Sequence, residues 1–273
     1  MTTLHGISTY VAGPAPTASS GSTIIFYTDA FGLLLLNNKL LADAYAAATG
    51  FRVLVPDIIP GGAMTPDILP LMDQFMAPVP LWNIWGQLSR AWTLARALVI
   101  GVPFLYRAAP HKKVCFDPSL QYARAVRSEM PAGAKLGVAG FCWGGYQSIN
   151  MSSEATVPGG SERLIDAQFC AHPSRLKLPD DVLNAVTRFK TPVSIAQACK
   201  DMALPNKVML ETEALLKEKT GSGDGEEGYH WEIRYYEDAP HGFAVRAREG
   251  FEKEGVAADE AKGQAIEWFK RWL

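Results

Sequence analysis

The sequence lacks several features that would place it in a specialised class of protein. Its 273 residues include only four cysteines, with no Cys-x-x-Cys pair, and its 26 basic residues form no stripe and are balanced by 28 acidic residues. These absences argue against a zinc or disulfide framework and against nucleic acid as a main partner. The first ten residues also lack the cationic and apolar segments of a secretory signal, so we expect a cytoplasmic protein with free thiols.

Long apolar runs are missing as well. The nearest candidate for a membrane span covers only residues 97–106, whereas a span needs about 18 to 20 residues. No group of His, Asp and Glu residues has the spacing of metal ligands. We therefore expect no membrane, metal or other cofactor as a partner. The expected partner is a small-molecule substrate, and the expected assembly is a monomer or a homodimer.

The chain does contain a regular alternation of strand-like apolar runs with helical patterns. The strand-like runs cover residues 22–28, 51–56, 135–140, 164–171, 192–198 and 231–236. The helical patterns cover residues 33–49, 119–129, 143–151, 203–219 and 257–272. The alternation predicts one α/β domain over residues 1–273, with a mostly parallel sheet and helices on both faces. Small residues over 14–22 predict a loop.

An aromatic-rich insert interrupts this alternation at about residues 61–118. It contains Trp82, Trp85 and Trp92 together with several prolines. One interpretation is a lid over a site at the carboxyl edge of the sheet, with Trp82 and Trp85 as candidate substrate-binding residues. The other is a set of extra helices whose aromatic side chains pack against the core. The sequence leaves both interpretations open.

The strongest local signal is the hexapeptide GFCWGG at residues 140–145, which follows a predicted strand and precedes a predicted helix. In a nucleophile elbow, small residues on either side of the nucleophile allow a sharp strand-to-helix turn. Cys142 holds the nucleophile position, where a helix N-terminus and a nearby imidazole would lower the pKa of its thiol. The alternative is a buried, unreactive cysteine. Cys115, Cys170 and Cys199 have no comparable context.

An elbow nucleophile needs a histidine and an acid that orients this histidine. In α/β domains with such an elbow, the acid follows the nucleophile in the sequence and the histidine follows the acid. Asp201 and His241 each follow a predicted strand, so both are expected at the carboxyl edge of the sheet with Cys142. The alternative role for Asp201 is a helix N-cap. His172 also follows a predicted strand and is a candidate for the pocket wall, but it precedes the acid.

These residues resemble the dienelactone hydrolase family of the α/β-hydrolase fold, and most closely its fungal branch. The resemblance extends from about residue 24 to the C-terminus. It is carried by YTDAFG at 27–32, VPD at 55–57, GFCWGG at 140–145, Asp201, and HGF at 241–243. It implies a Cys142–His241–Asp201 triad and a hydrolase that acts on esters or lactones.

The resemblance also implies roles for two loops beside the nucleophile. The oxyanion hole would consist of the backbone N–H groups of Trp143 and Ala30. In bacterial members a glutamate on the early loop helps to generate the thiolate, and here its position is held by Asp29, whose side chain is one methylene shorter. Those members also hold the substrate carboxylate with arginines, one of them four residues after the catalytic histidine. Here Val245 holds that position and Arg246 follows it, so Arg246 is a candidate substrate-binding residue, as is Phe31 on the early loop.

A cysteine nucleophile restricts the expected substrate. Thiolate leaves a tetrahedral adduct more readily than alkoxide does, so turnover favours leaving groups of low pKa, such as an enolate or phenolate. We therefore expect hydrolysis of enol-lactones or aryl esters with an apolar or aromatic body, through a thioester. Three alternatives remain open at this point: a thioesterase-like tailoring enzyme with the same triad, a non-catalytic small-molecule binder, and a redox-sensing thiol protein.

Overall fold

A sheet of eight strands runs through the computed structural model, which describes residues 1–14 and 21–273. The strands are β1 (Thr2–Leu4), β2 (Ile7–Ala12), β3 (Thr23–Tyr27), β4 (Arg52–Pro56), β5 (Leu136–Phe141), β6 (Ala167–Ala171), β7 (Val193–Lys200) and β8 (Trp231–Pro240). Their order across the sheet is β1-β2-β4-β3-β5-β6-β7-β8. Every pairing from β4 to β8 is parallel, which confirms the predicted mostly parallel sheet. Residues 15–20 of the loop predicted over 14–22 lie outside the described residues.

The antiparallel edge of the sheet was not predicted from the sequence. Strands β1 and β2 form a hairpin, and β2 pairs antiparallel with β4. The turn between them uses His5 and Gly6, both at positive φ. Strand β1 has no buried residue, so its sequence carries no hydrophobic pattern that would mark it as a strand.

Helices cover both faces of the sheet, as predicted. They are α1 (Leu36–Thr49), α2 (Ile68–Met76), α3 (Ile84–Arg107), α4 (Lys113–Glu129), α5 (Trp143–Met151), α6 (Asp180–Thr187), α7 (Asn206–Thr220), α8 (Phe243–Arg246) and α9 (Glu252–Trp272). The sheet separates two hydrophobic cores, one on each face, and alternate residues of β3 belong to different cores. Ile24 and Phe26 pack in the core with α1 and α9, whereas Ile25 and Tyr27 pack in the core with α4 and α5. Because successive side chains of a strand point to opposite faces, a fully buried strand such as β3 contributes to both cores.

The insert predicted over residues 61–118 consists of α2, α3 and the start of α4. Helix α4 begins six residues earlier than the sequence pattern indicated, and it includes Pro118, which the pattern had placed before the helix. Its Cys115 is already fully buried in the core. The part of the insert that stands apart from the core is therefore α2 and α3.

Most of helix α3 fits neither the lid interpretation nor the interpretation in which its aromatic side chains pack against the core. Phe104 is buried, but Trp82 and Trp85 at its start are 84% and 82% exposed. By length and composition alone, α3 is apolar enough to cross a membrane, and only 11% of its most apolar 18-residue stretch is buried. The sequence expectation missed this helix because it considered uninterrupted apolar runs, whereas the apolar residues of α3 are separated by Ser, Thr, Gln and Arg.

Helix α5 lies unusually close to the end of β3, and this approach positions the predicted elbow. The backbone N–H of Gly144 donates to Thr28 O at 3.0 Å. A Cβ atom on Gly144 would lie 2.1 Å from Tyr27 O, which is far inside van der Waals contact. Only glycine therefore permits this packing of the helix against the strand.

The variant Gly144→Ala tests this packing. We expect it to lower the free energy of unfolding by about 1–3 kcal/mol, the usual cost of overpacking, even though alanine favours helices. The matched control is Gly263→Ala in α9, where a Cβ atom meets no atom within 4 Å and stability should stay unchanged or rise. Urea titration of both variants measures the effect, and equal stability of the two variants would contradict this account.

Candidate active site

Cys142 occupies a strained turn between β5 and α5. Its backbone angles are φ 50° and ψ −106°, a conformation that is uncommon for a residue with a side chain. The turn also requires glycine at position 140, since a Cβ atom there would lie 2.2 Å from Gly144 O. The side chain of Cys142 is partly exposed. These features agree with the strand-to-helix turn predicted from GFCWGG, and the thiol is not fully buried as the alternative interpretation expected.

The structure brings His241 and Asp201 together at the same edge of the sheet. Asp201 follows β7 directly and His241 follows β8 directly. His241 Nδ1 lies 2.7 Å from Asp201 Oδ2, and the Asp201 side chain is buried. Asp201 Oδ1 accepts a further hydrogen bond from Ala203 N at 2.7 Å. Asp201 is not the N-cap of α7, which begins later at Asn206, but it stabilises the turn that precedes this helix.

The thiol and the imidazole influence each other's protonation. Burial by itself would raise the pKa of Cys142, but the charge and hydrogen bonding of His241, with a contribution from Arg246, outweigh it and lower the pKa. Burial by itself would lower the pKa of His241, but the Cys142 thiolate and the hydrogen bond to Asp201 raise it to about 10. Both shifts favour a thiolate–imidazolium pair over two neutral groups.

Cys142 differs in this respect from the other three cysteines. All four are free thiols, as expected. Burial raises the pKa of Cys115, Cys170 and Cys199, and that of Cys170 reaches about 12. The lowered pKa therefore depends on the surroundings of residue 142 and is not general to this protein.

Trp143 and Ala30 carry the two backbone N–H groups that the family resemblance assigns to an oxyanion hole. Trp143 is the first residue of α5, so its N–H group has no helical partner one turn earlier. Among the described residues, no backbone hydrogen bond uses the N–H group of Ala30. Both residues line the same cavity as Cys142. They are therefore available as donors to a substrate oxygen.

Asp29 does not take the position that its place in the motif suggested. It is fully buried, and its Oδ1 accepts hydrogen bonds from Phe31 N at 3.1 Å and Asn38 Nδ2 at 3.0 Å. Its Oδ2 lies 3.7 Å from Arg246 Nε. Burial raises the pKa of Asp29, and its negative charge raises the pKa of Cys142. Asp29 thus holds the early loop and faces Arg246, an arrangement that does not support direct activation of the thiol.

His172 lies behind His241 and does not line the cavity. Its ring is fully buried and packs edge-on against the His241 ring, with 5.1 Å between the centroids. Burial, followed by the charges of His241 and Arg246, holds the pKa of His172 well below its usual value. His172 is therefore neutral, and it supports the position of the His241 ring by packing.

A cavity of about 490 Å³ opens beside Cys142. Its wall is mainly apolar and is supplied by the early loop, α2, α3 and the elbow. The apolar lining residues include Ala30, Phe31, Met64, Ile68, Met72, Phe104, Leu105 and Trp143. Arg246 lines it as predicted, with its guanidinium over the Phe31 ring. Trp82 and Trp85 do not line it, because they lie on the exposed side of the insert.

The cavity wall includes polar residues that the sequence interpretation missed. Ser174 Oγ lies 3.9 Å from Cys142 Sγ, and Arg175 lies beside it. Both follow β6, so the strand-end rule that selected His172 would also have found them. The apolar lining from α2 and α3 had no such signal. Among the described residues, no group of three or more His, Cys, Asp or Glu side chains is placed to hold a metal ion.

The sequence model of the dienelactone hydrolase family matches residues 7–273. The chain belongs to this family. Membership makes it a hydrolase of carboxylic esters or lactones.

Two fungal relatives are similar to this chain over nearly its whole length. The hydrolase pyvD of Aspergillus violaceofuscus is 26% identical over 276 residues, which cover 100% of this chain and 90% of the relative. Dienlactone hydrolase 1 of Gibberella moniliformis is 26% identical over 273 residues, which cover 99% of this chain and 86% of the relative. The similarity therefore extends over the insert as well as the sheet.

Solved structures support the α/β-hydrolase fold of this dienelactone hydrolase family member. A Klebsiella pneumoniae protein described as a dienelactone hydrolase matches with a TM-score of 0.58 at 15% identity, covering 95% of this chain and 88% of its own. The propionate-bound esterase Est2 of Thermogutta terrifontis matches with a TM-score of 0.57 at 14% identity, covering 98% and 91%. At this identity the similarity shows the shared fold.

Alkylation of Cys142 by iodoacetamide measures the predicted thiolate. The thiolate is the reactive form, so a lowered pKa moves the midpoint of the rate–pH profile below the ordinary value of about 8.5. In His241→Ala only burial and the remaining charges act, and the midpoint should rise by at least one unit, with about tenfold slower alkylation at pH 7.

Peptide mapping by mass spectrometry assigns the alkylated cysteine in this experiment. The exposed His111 supplies the matched control, because His111→Ala removes an imidazole that does not line the cavity of Cys142 and should leave the profile unchanged. A wild-type midpoint at or above 8.5 would contradict the thiolate–imidazolium pair.

Proposed function

We propose that this enzyme hydrolyses esters or lactones through a thioester formed on Cys142, with His241 as the acid–base group and Asp201 as its orienting partner. The observation that supports this most is geometric: Cys142, in the strained turn after β5, lines the same cavity as His241, whose Nδ1 lies 2.7 Å from Asp201 Oδ2. The protonation of the thiol agrees with it, because the neighbouring imidazole outweighs burial and lowers the pKa of Cys142. In the three other cysteines the effect of burial prevails and the pKa is raised.

Acylation follows from this arrangement. The Cys142 thiolate attacks the substrate carbonyl carbon, and negative charge develops on the carbonyl oxygen near the N–H groups of Trp143 and Ala30. Each such donor typically lowers the barrier by about 2.7–4 kcal/mol. The carbon–oxygen bond to the leaving group then breaks, and protonated His241 can give its proton to that oxygen. The acyl group stays on sulfur as a thioester.

Deacylation uses the same groups in reverse order. Neutral His241 takes a proton from water, and the resulting hydroxide attacks the thioester carbonyl. The carbon–sulfur bond breaks, which releases the carboxylic acid product and restores the Cys142 thiolate. The hydrogen bond from His241 Nδ1 to Asp201 keeps the Nε2 atom available for both proton transfers. Asp201 acts through this bond as a positioning residue.

The nucleophile and the cavity together indicate the substrate class. Thiolate is a good leaving group, so the adduct proceeds forward only when the departing oxygen also leaves readily. Enol-lactones and aryl esters meet this condition, because enolates and phenolates have low pKa values. The largely apolar wall of the 490 Å³ cavity matches an apolar or aromatic body. Arg175 and Arg246 add positive charge to the wall of this cavity.

A series of acetate esters with different leaving groups tests the proposal. We expect kcat/KM for p-nitrophenyl and phenyl acetate to exceed that for ethyl acetate by at least 100-fold, with a covalent acyl adduct on Cys142 detected by intact-protein mass spectrometry after rapid quench. Cys142→Ala should lose both the adduct and the turnover. The matched control Cys199→Ala, in which a partly buried thiol of β7 is removed, should keep both.

Other results would identify the alternative functions. Binding of these esters without turnover by the wild-type protein would indicate a small-molecule binder. Reversible oxidation of Cys142 by peroxide, with no esterase activity, would indicate a redox sensor. Turnover of acyl thioesters in strong preference to aryl esters would indicate a thioesterase-like tailoring enzyme. Turnover that persists in Cys142→Ala would overturn the proposed nucleophile.

A further inference from the structure

Helix α3 carries an unusually exposed apolar surface. It is 24 residues long, which corresponds to about 36 Å. One side exposes an apolar stripe made of Trp85, Leu88, Trp92, Val99, Val102 and Tyr106. These positions recur at intervals of three, four or seven residues, so they share one side of the helix. Exposed apolar surface of this extent in a folded protein marks a site of association.

The segment around this stripe has an unusual charge composition. None of the 28 acidic residues of the chain lies between residues 74 and 116, whereas five basic residues do. Arg96 lies on α3 beside the stripe and is exposed, and Lys112, just before α4, has its Nζ 4.4 Å from the centroid of the Tyr106 ring. The chain as a whole has a formal charge of −2, so this apolar and cationic surface contrasts with an otherwise acidic protein.

The position of α3 in the fold determines how this surface can be used. Phe104 on its other side is buried and lines the cavity beside Cys142. Arg107 at its end donates to Gly62 O at 2.6 Å, and Ala108 O just beyond accepts a hydrogen bond from Trp143 Nε1 at 2.6 Å. A helix fixed in this way cannot leave the fold to cross a bilayer. It can still lie flat on one, with the stripe toward the lipid.

We propose that the stripe of α3 binds the surface of an anionic lipid bilayer, with the helix parallel to the membrane plane. Tryptophan and tyrosine side chains favour the interface between headgroups and acyl chains, and basic residues beside an apolar helix face are attracted to anionic lipids. A second copy of this chain is a less suitable occupant, because its stripe would bring the same positive charge and no carboxylate to pair with Arg96. The expectation of no membrane partner is revised accordingly.

The proposal predicts sedimentation of the full-length protein with lipid vesicles. We expect it to bind vesicles that contain phosphatidylglycerol and phosphatidylcholine in equal parts, and to bind pure phosphatidylcholine vesicles at least tenfold more weakly. Raising the salt concentration from about 0.05 to about 0.5 M should weaken binding to the anionic vesicles, because salt shortens the distance over which the charges attract one another.

Two pairs of variants separate the apolar and charged contributions. Trp85→Ser with Trp92→Ser should reduce the partition coefficient at least tenfold, whereas Leu40→Ser with Leu210→Ser, which changes exposed apolar residues of α1 and α7, should leave it unchanged. Arg96→Gln with Lys112→Gln should reduce it by about fivefold for each charge at low salt. Lys219→Gln with Lys270→Gln removes two exposed charges elsewhere and should have little effect.

Three results would overturn the proposal. The first is no binding of wild-type protein to anionic vesicles. The second is equal loss of binding in the stripe variants and their controls. The third is a concentration-dependent dimer, measured by light scattering, that the Trp85→Ser and Trp92→Ser pair abolishes while vesicle binding is absent, which would assign the stripe to a second copy of the chain. The charge variants keep the test decisive if the tryptophan variants fold poorly, and none of these readouts depends on the proposed reaction.

Discussion

The interaction between Cys142 and His241 is the one on which the proposed chemistry of this site depends. Burial opposes ionisation of both groups, and the largest opposing influence on the pKa of each is the other. The bond to Asp201 adds to this effect from the far side of the imidazole. The fold sets this geometry, because the parallel strands β5, β7 and β8 end at one edge of the sheet. The residue that follows each strand, Cys142, Asp201 or His241, therefore lies at that edge.

The packing around this pair also controls which other charges it meets. His172 lies against the His241 ring, but burial keeps it neutral, so it supports the imidazole without competing for the proton. The negative charge of Asp29 opposes the thiolate, but less than the imidazole of His241 favours it. The Asp29 carboxylate accepts hydrogen bonds from Phe31 N and Asn38 and lies 3.7 Å from Arg246 Nε. The lowered pKa of Cys142 is the balance of these influences beside a mainly apolar cavity.

Helix α3 connects that cavity with the outside surface. Its buried side supplies Phe104 to the cavity wall, while its other side exposes the apolar stripe. The hydrogen bond from Trp143 Nε1 to Ala108 O links the end of this helix to the residue that follows Cys142. The apolar stripe and part of the cavity wall are therefore two sides of one helix that is attached to the turn at Cys142.

The sequence by itself determined the features that follow from local patterns: the alternation of strands and helices, the turn around Cys142, and the placement of Asp201 and His241 after successive strands. Each of these depends on residue types at short spacing, together with the rule that parallel strands end at a common edge. The tertiary structure alone decided that Asp29 pairs away from the thiol, that Ser174 faces it, and that Trp82 and Trp85 lie outside the cavity. Those outcomes depend on distances between segments far apart in the chain, and no local pattern encodes which side of a largely apolar helix meets the core.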